Sequence, residues 1–524
     1  MKNILLLTDR KPTQAASGET KPIISPRTSL RNYTCTAVAL LAVLSGRGAA
    51  VAQQADDVDI WKAVPSDLTF AVTQVPPVAT VTQVAPTDSA LTSTEQGTTY
   101  LDESFDFQEW RLEERREALK DTKFEFNLRS FYFDRSDFNR SEKQAWAIGG
   151  WLGVKTGYFL DHVAFGATVY TSNPIYAPDD RDGTTLLAPG QNGYTVFGEW
   201  YAELRIMKDL GITVGAKGYD TPFINRNDNR MTPNTFEAVV LQGRTKLGTS
   251  SNTSVTTDNI GLSKDAKEVA VPAPPPADDV PFIKYGLGYF YAIKERNDSE
   301  FVSMAQDAGA DIQHGVWSGG ALYQNGKFNI GAIEYYCDDV INIAYAESNL
   351  EVPLGADWKL KFAGQYVDQG SVGDNLLQGH SFSGHQFGVK VELPIRNALF
   401  TAAFTQAWGT ANLQNPWSGY PGYTSVQVQD FNRAGEGAFL LRAGYDFPWV
   451  DGLSAYALAV FGTDPDLANQ YRQNEYDFNL QWGPKKGALE GLSLRLRYAV
   501  VQQFGGNVDN LTDFRAIFNY VIKF

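Results

Sequence analysis

Cysteine is nearly missing: Cys35 and Cys337 are the two in 524 residues. That excludes a disulfide scaffold and a zinc ribbon. Histidine is almost as scarce. His162, His314, His380 and His385 are scattered, and the last two, five apart in an expected loop, read as surface residues rather than a metal pair. No run of about 18 apolar residues occurs, so helical membrane spans are excluded. Positive charge is in deficit, with 45 Lys+Arg against 60 Asp+Glu and a net −15, which makes nucleic acid a poor partner. No G-x-S-x-G elbow, Walker A loop or H-E-x-x-H pair is present, so no catalytic residue, metal or cofactor is expected. Aromatic residues, by contrast, are plentiful: 31 Phe, 25 Tyr and 11 Trp. Yet the mean hydropathy is only −0.28. Two architectures remain, a large soluble all-β protein or a β-barrel that presents its apolar surface in alternation.

The N-terminus points to export. Residues 1–31 are polar and basic, Thr36–Leu44 is a short apolar run, and Ala50-Val51-Ala52 precedes Gln53-Gln54. This is the pattern of a secretory signal peptide over 1–52. Cys35 lies inside it without a lipobox, which argues against a lipoprotein. The segment carries seven basic and two acidic side chains, so its removal leaves a more acidic chain. Residues 53–100 are rich in Val, Thr, Ala and Pro and keep no hydrophobic period, as a linker would. Residues 101–122 are charged and helix-prone, with Leu101, Phe105, Leu112 and Leu119 on one face. A solvated linker helix is the preferred reading; a partner-binding helix or a segment entering a barrel are the alternatives. Together 53–122 form an N-terminal extension.

From Lys123 the period becomes two. Phe124, Phe126 and Leu128 alternate with Glu125, Asn127 and Arg129. Leu492, Leu494, Leu496 and Tyr498 alternate with Ser493, Arg495 and Arg497. Phe514, Ala516, Phe518, Tyr520, Ile522 and Phe524 alternate with Arg515, Ile517, Asn519, Val521 and Lys523. Successive strand side chains point to opposite faces, so each strand has one apolar and one more polar face. Aromatics recur at strand ends as an interfacial girdle requires. The expected strands, about 10–12 residues long, suit a tilted membrane crossing. Short connections such as 207–210, 324–327 and 394–397 alternate with long ones such as 172–192, 222–234, 295–314 and 409–435. The expectation is therefore an all-β, transmembrane antiparallel β-barrel over 123–524. It has about 18 strands, short periplasmic turns and long extracellular loops. Residues 250–282, Pro-rich at Pro272–Pro276, read as an insertion on the periplasmic side.

Phase also selects the lumen. Arg129, Arg442, Arg495, Arg497 and Arg515 all fall on the polar face, and an arginine facing lipid at the midplane would cost about 2–4 kcal/mol. Either they guide a solute or they pair with lumen acids such as Glu436 and fill the barrel. Tyr335, Tyr336, Asp338 and Asp339 form a further cluster, open between a pore wall and a surface loop.

Several stretches, in order, resemble the OprD-like outer-membrane porins. Leu128–Arg135 (LRSFYFDR) is similar to that family's opening RNYYFxR stretch, and Asn227–Phe236 (NDNRMTPNTF) to its NDSRxxPxTF segment. Arg442–Phe447 (RAGYDF) resembles RYDYDF, and Gly483–Gly487 with Gly491–Arg497 resembles GPLKGLSLRxR. The resemblance spans roughly 123–524; the N-terminal extension and the 250–282 insertion depart from it. It implies a bacterial outer-membrane channel for passive diffusion of small solutes, carboxylate-bearing ones such as amino acids or small organic acids. The five arginines would be a basic ladder suited to gripping carboxylates. An inward-folded loop would hold Arg226, Asp228 and Arg230 at the constriction, with Asp228 and Arg230 as opposing charges. Asp338, Asp339 and Glu436 would be its acidic side. Expected partners are the lipid bilayer and lipopolysaccharide, the solutes, and the barrel-assembly machinery reading Phe524; the oligomer is a monomer or trimer. A structural anchoring barrel and an outer-membrane lipid hydrolase are the alternatives, the latter without a supported Ser/His pair.

Overall fold

The computed structural model describes residues 115–248, 280–355, 358–506 and 508–524. The expected signal peptide, linker, most of the 101–122 helix and nearly all of the 250–282 insertion lie outside them. Among the described residues nineteen strands form one antiparallel sheet. They are β1 (Lys123–Ser136), β2 (Glu142–Lys155), β3 (Val163–Tyr176), β4 (Tyr194–Met207), β5 (Leu210–Lys217), β6 (Thr235–Lys246) and β7 (Phe282–Lys294). A two-residue strand, β8 (Val302–Ser303), comes next. Then follow β9 (Val316–Asn325), β10 (Phe328–Cys337), β11 (Ile341–Pro353), β12 (Lys359–Gly370), β13 (Ser383–Ile395) and β14 (Ala398–Gly409). The chain finishes with β15 (Gly437–Asp446), β16 (Leu453–Gly462), β17 (Gln473–Trp482), β18 (Leu492–Gln503) and β19 (Leu511–Lys523).

β8 sits beside β7, which also pairs directly with β9. That leaves eighteen strands of 8 to 14 residues, and β1 pairs with both β2 and β19, so the sheet closes. Closure removes every open strand edge, the condition for β-structure in a bilayer. At the seam the backbone amide of Phe524 donates to Phe124 O at 3.0 Å and Phe124 N donates back at 2.7 Å. Their rings stack at 5.5 Å.

The period of two becomes two surfaces. Leu152, Phe439, Leu441, Phe478, Leu480, Leu494, Leu496 and Tyr498 are exposed on the outer face. Asn127, Arg129, Phe131 and Phe133 on β1 are buried on the inner one. Short turns at one end alternate with mostly longer loops at the other, where 137–141 and 338–340 are tight exceptions, and the ends of β6 and β7 at Lys246 and Phe282 lie at the short-turn end. There Gly452 adopts φ +72 so close to Gly483 that a Cβ would stand 1.8 Å from its carbonyl oxygen. Residues 115–120 are helical. The helix docks at this end by Ala118, whose carbonyl accepts the Gly157 amide at 2.9 Å. Leu119, on the apolar face read from the sequence, is 63% exposed, whereas Ala118 is 2% exposed. The small residue reaches the backbone where the larger one cannot.

The interior is filled largely by loops. Residues 218–234, 295–315 and 410–436 all leave the long-loop end, and their apolar side chains form one core with β10 and β11. Phe223 lies 5.9 Å from Tyr335, 6.2 Å from Tyr345 and 5.9 Å from Tyr420, in edge-to-face contacts.

Candidate functional site

Register sets the chemistry of one lumen wall, from β15 through β19 to β1. Gly444, Tyr456, Asn479, Arg497, Arg515 and Phe133 stand side by side in consecutive strands. One rung nearer the short-turn end run Asp446, Ser454, Gln481, Arg495, Ile517 and Phe131. One rung nearer the long-loop end run Arg442, Leu458, Asp477, Ala499, Asp513 and Arg135. Adjacent strands are about 4.8 Å apart, so neighbouring charges interact strongly. The five arginines selected by phase thus share one wall.

Their contacts differ. Arg515 is 2% exposed and donates to Asp513 from Nε at 2.7 Å and Nη2 at 3.0 Å. Arg135 binds the same carboxylate at 2.5 Å. Arg495 donates to Asn479 at 2.6 Å, and the Arg442 guanidinium covers the Tyr456 ring at 3.9 Å. Arg442, Arg495, Asn479, Gln481 and Tyr456 line a recess at the short-turn end of the lumen. Arg129 crosses to the 218–234 loop instead, donating to Asp228 at 2.5 and 3.1 Å and to the Arg230 carbonyl at 2.6 Å.

The 218–234 loop folds inward. Arg226 pairs with Asp220 at 2.6 Å. Asp228 and Arg230 do not face each other as an opposed pair. Arg129 holds Asp228, while Arg230 turns to the 177–193 loop, donating to Thr184 O at 2.8 Å and Thr185 Oγ1 at 2.9 Å. Arg230 also stacks on Phe133 at 5.0 Å. Glu436 is fully buried at the foot of the 410–436 loop with Arg433 as its partner. Asp338 and Asp339 occupy the tight β10–β11 turn at the long-loop rim, away from the arginine wall.

Sequence reasoning missed a second inward loop. In 410–436 the amides of Val428 and Gln429 each donate to one oxygen of Glu475 at 2.7 Å. Gln427 N donates to Asp477 at 3.1 Å, and its side-chain amide to Asp513 at 2.8 Å. Loop and loop are joined as well, since Asn225 Nδ2 donates to Ser418 Oγ at 3.1 Å. The missed acids were detectable, because Glu475 and Asp477 share the inward phase opposite Tyr476 and Phe478. The loop also carries Trp417, Tyr420 and Tyr423, bulky rings that a solvated loop has little use for.

The 295–315 loop covers this assembly. Its Met304 carbonyl accepts Trp417 Nε1 at 2.8 Å, and Arg296 donates to Asn229 Oδ1 at 2.6 Å and Asn234 Oδ1 at 2.8 Å. Burial lowers the Arg296 guanidinium to about 10, so it stays charged at neutral pH. Burial, with Glu295 and Asp298 nearby, raises the Asp307 carboxyl to about 8.

A closed antiparallel barrel with an apolar exterior, a charged interior wall and inward-folded loops defines an outer-membrane porin. The family described as outer membrane porin, OprD family, matches residues 117–246 and 278–524. The chain belongs to that family, and its short turns are periplasmic and its long loops extracellular. Its structure is similar to that of Pseudomonas aeruginosa OccK9 (OpdG), with 20% identity, TM-score 0.64, and 78% of this chain covering 100% of that one. Pseudomonas aeruginosa OpdK, solved with vanillate, aligns at 18% identity and TM-score 0.62 with the same coverage. A BenF-like porin from Pseudomonas fluorescens Pf-5 aligns at 18% identity and TM-score 0.64, again over 78% and 100%. No curated protein sequence matches the chain. The family and these neighbours are channels rather than enzymes.

Proposed function

We propose that this porin passes small carboxylate-bearing solutes by passive diffusion along the β15–β19 wall. The supporting observation is the tiering of that wall. The upper acids Glu475, Asp477 and Asp513 are occupied by amides of the 410–436 tip or by Arg135 and Arg515. Arg495, Arg497 and Arg442 lie at and below that level. A carboxylate moves from one guanidinium to the next, each offering paired donors and a permanent charge. The two inward loops are the constriction. Asp228, Arg226 and Arg230 shape the first through its own contacts, and the Gln427–Gln429 tip narrows the second. Lumen charge, rather than net charge, governs the passing ion.

The remaining assignments follow the same reading. Residues 1–52 direct export, and Phe524 presents the final strand to the assembly machinery. The outer face meets lipid and lipopolysaccharide. Single-channel recording of refolded protein under a salt gradient tests the proposal. Discrete steps with an anion-selective reversal potential support it. Cation selectivity would transfer control to the acids, and a folded protein without steps would be a plugged barrel.

A further inference from the structure

Three side chains outside the lumen path converge at the extracellular rim. His314 ends the 295–315 loop just before β9, and Asp338 and Asp339 form the β10–β11 turn. A ligand atom from each lies within 4.8 Å of the other two. We propose that His314, Asp338 and Asp339 bind a divalent transition-metal ion, with Zn2+ the best match to the donor set. His314 Nδ1 lies 3.2 Å from the Asp338 backbone carbonyl. A carbonyl can only accept, so that nitrogen carries the proton and Nε2 presents its lone pair. Metal-bound imidazoles are oriented in this way. One oxygen of Asp339 accepts the Asp374 amide at 3.0 Å, and one of Asp338 accepts the Tyr336 hydroxyl at 3.1 Å. These bonds hold both carboxylates in place. Among the described residues neither carboxylate has a Lys or Arg within ion-pair distance. Two adjacent negative charges without a protein cation are what a bound cation would balance.

The donor types choose the metal. Ca2+ and Mg2+ favour oxygen-only shells, while one imidazole with carboxylates suits Zn2+, Co2+ or Ni2+. Cys337 contributes nothing, being fully buried on the lumen face. An ion here would tie two rim elements together. The His314 carbonyl accepts the Ala305 amide at 3.0 Å, and adjacent Met304 accepts Trp417 from the constriction loop at 2.8 Å. The metal would therefore brace the outer loop stack on the barrel wall.

Calorimetric titration of the refolded full chain with ZnCl2, in detergent and free of added histidine tags, tests the site. Folding of every variant is first verified by heat-modifiable electrophoretic mobility. One Zn2+ per chain is expected. Binding should weaken at least tenfold in His314→Ala and in Asp339→Asn and stay unchanged in His385→Ala, whose ring pairs with Asp368 at 2.7 Å. Co2+ should give visible d–d bands that His314→Ala abolishes. Absence of saturable binding to folded protein would overturn the proposal. So would binding that survives both site variants, or CaCl2 binding as tight as Zn2+ and indifferent to His314.

Discussion

Arg497 stands directly opposite Arg515 in the β18–β19 register. Like charges facing across a ladder repel, and Asp513, fully buried and two residues along β19, neutralises the pair's more deeply buried member at 2.7 Å. Arg135 leans on the same carboxylate. Replacing that carboxylate by an amide leaves Arg515 and Arg135 without their shared counter-charge, with Arg497 still facing Arg515. Breaking a buried pair from one side costs about 3–5 kcal/mol. Asp513→Asn should therefore lower the urea midpoint of the refolded barrel. Asp513→Asn combined with Arg515→Met, which removes the stranded charge, should recover most of the loss. An unchanged midpoint in the single variant would show that Arg515 does not depend on Asp513.

Arg495 sits one rung below Arg497, nearer the periplasm, and its exposed surface borders the recess with Arg442 and Tyr456. If these side chains act on the permeating ion, Arg495→Gln with Arg497→Gln should move the reversal potential towards cation selectivity. Conductance should change less than selectivity, because glutamine nearly preserves the lumen cross-section. A double variant with wild-type reversal potential would reduce these arginines to packing.

Arg129 anchors the inward-folded 218–234 loop by four contacts to 228–231. Arg129→Ala should free the loop from β1, raise single-channel conductance and add open-state noise. Asp228→Asn removes only the charged part of the anchor and should give a smaller change in the same direction. Equal conductance in all three proteins would mean that the Phe223 aromatic contacts alone hold the loop.

Much of this design is written locally. The strand phase that exposes Leu494, Leu496 and Tyr498 and turns Arg495 and Arg497 inward depends on a two-residue repeat, and eighteen spanning strands follow from counting such repeats. Loop asymmetry depends on segment length and is equally visible. What a repeat cannot carry is the identity of a long-range partner. The family resemblance implies Asp228 and Arg230 as opposing charges on one loop. The structure gives Asp228 to Arg129, 99 residues earlier, and Arg230 to Thr184. Asp338 and Asp339 are open by sequence between a pore wall and a surface loop, and the turn after β10 places them on the rim beside His314. The 410–436 tip was hidden for the same reason, since Glu475 and Asp477 acquire meaning only once Val428 and Gln429 reach them across the lumen.

Asp307 supplies a pH dependence outside the barrel wall. Its carboxyl is raised from an ordinary 3.8 to about 8 by burial, with Glu295 and Asp298 adding repulsion. One of its oxygens, Oδ2, is buried without a hydrogen-bond partner. Between those two values the folded loop holds a proton that the unfolded loop releases, so loop stability falls as pH rises. It is greatest near or below pH 4 and fully reduced above about pH 8 with respect to this group. Backbone amides of 295–315, compared after correction for intrinsic exchange, should therefore be better protected from hydrogen exchange at pH 6 than at pH 9. Asp307→Asn keeps the shape and removes the titration, so it should flatten that difference and raise protection at pH 9. An equally steep pH dependence in the variant would show that Asp307 does not carry it.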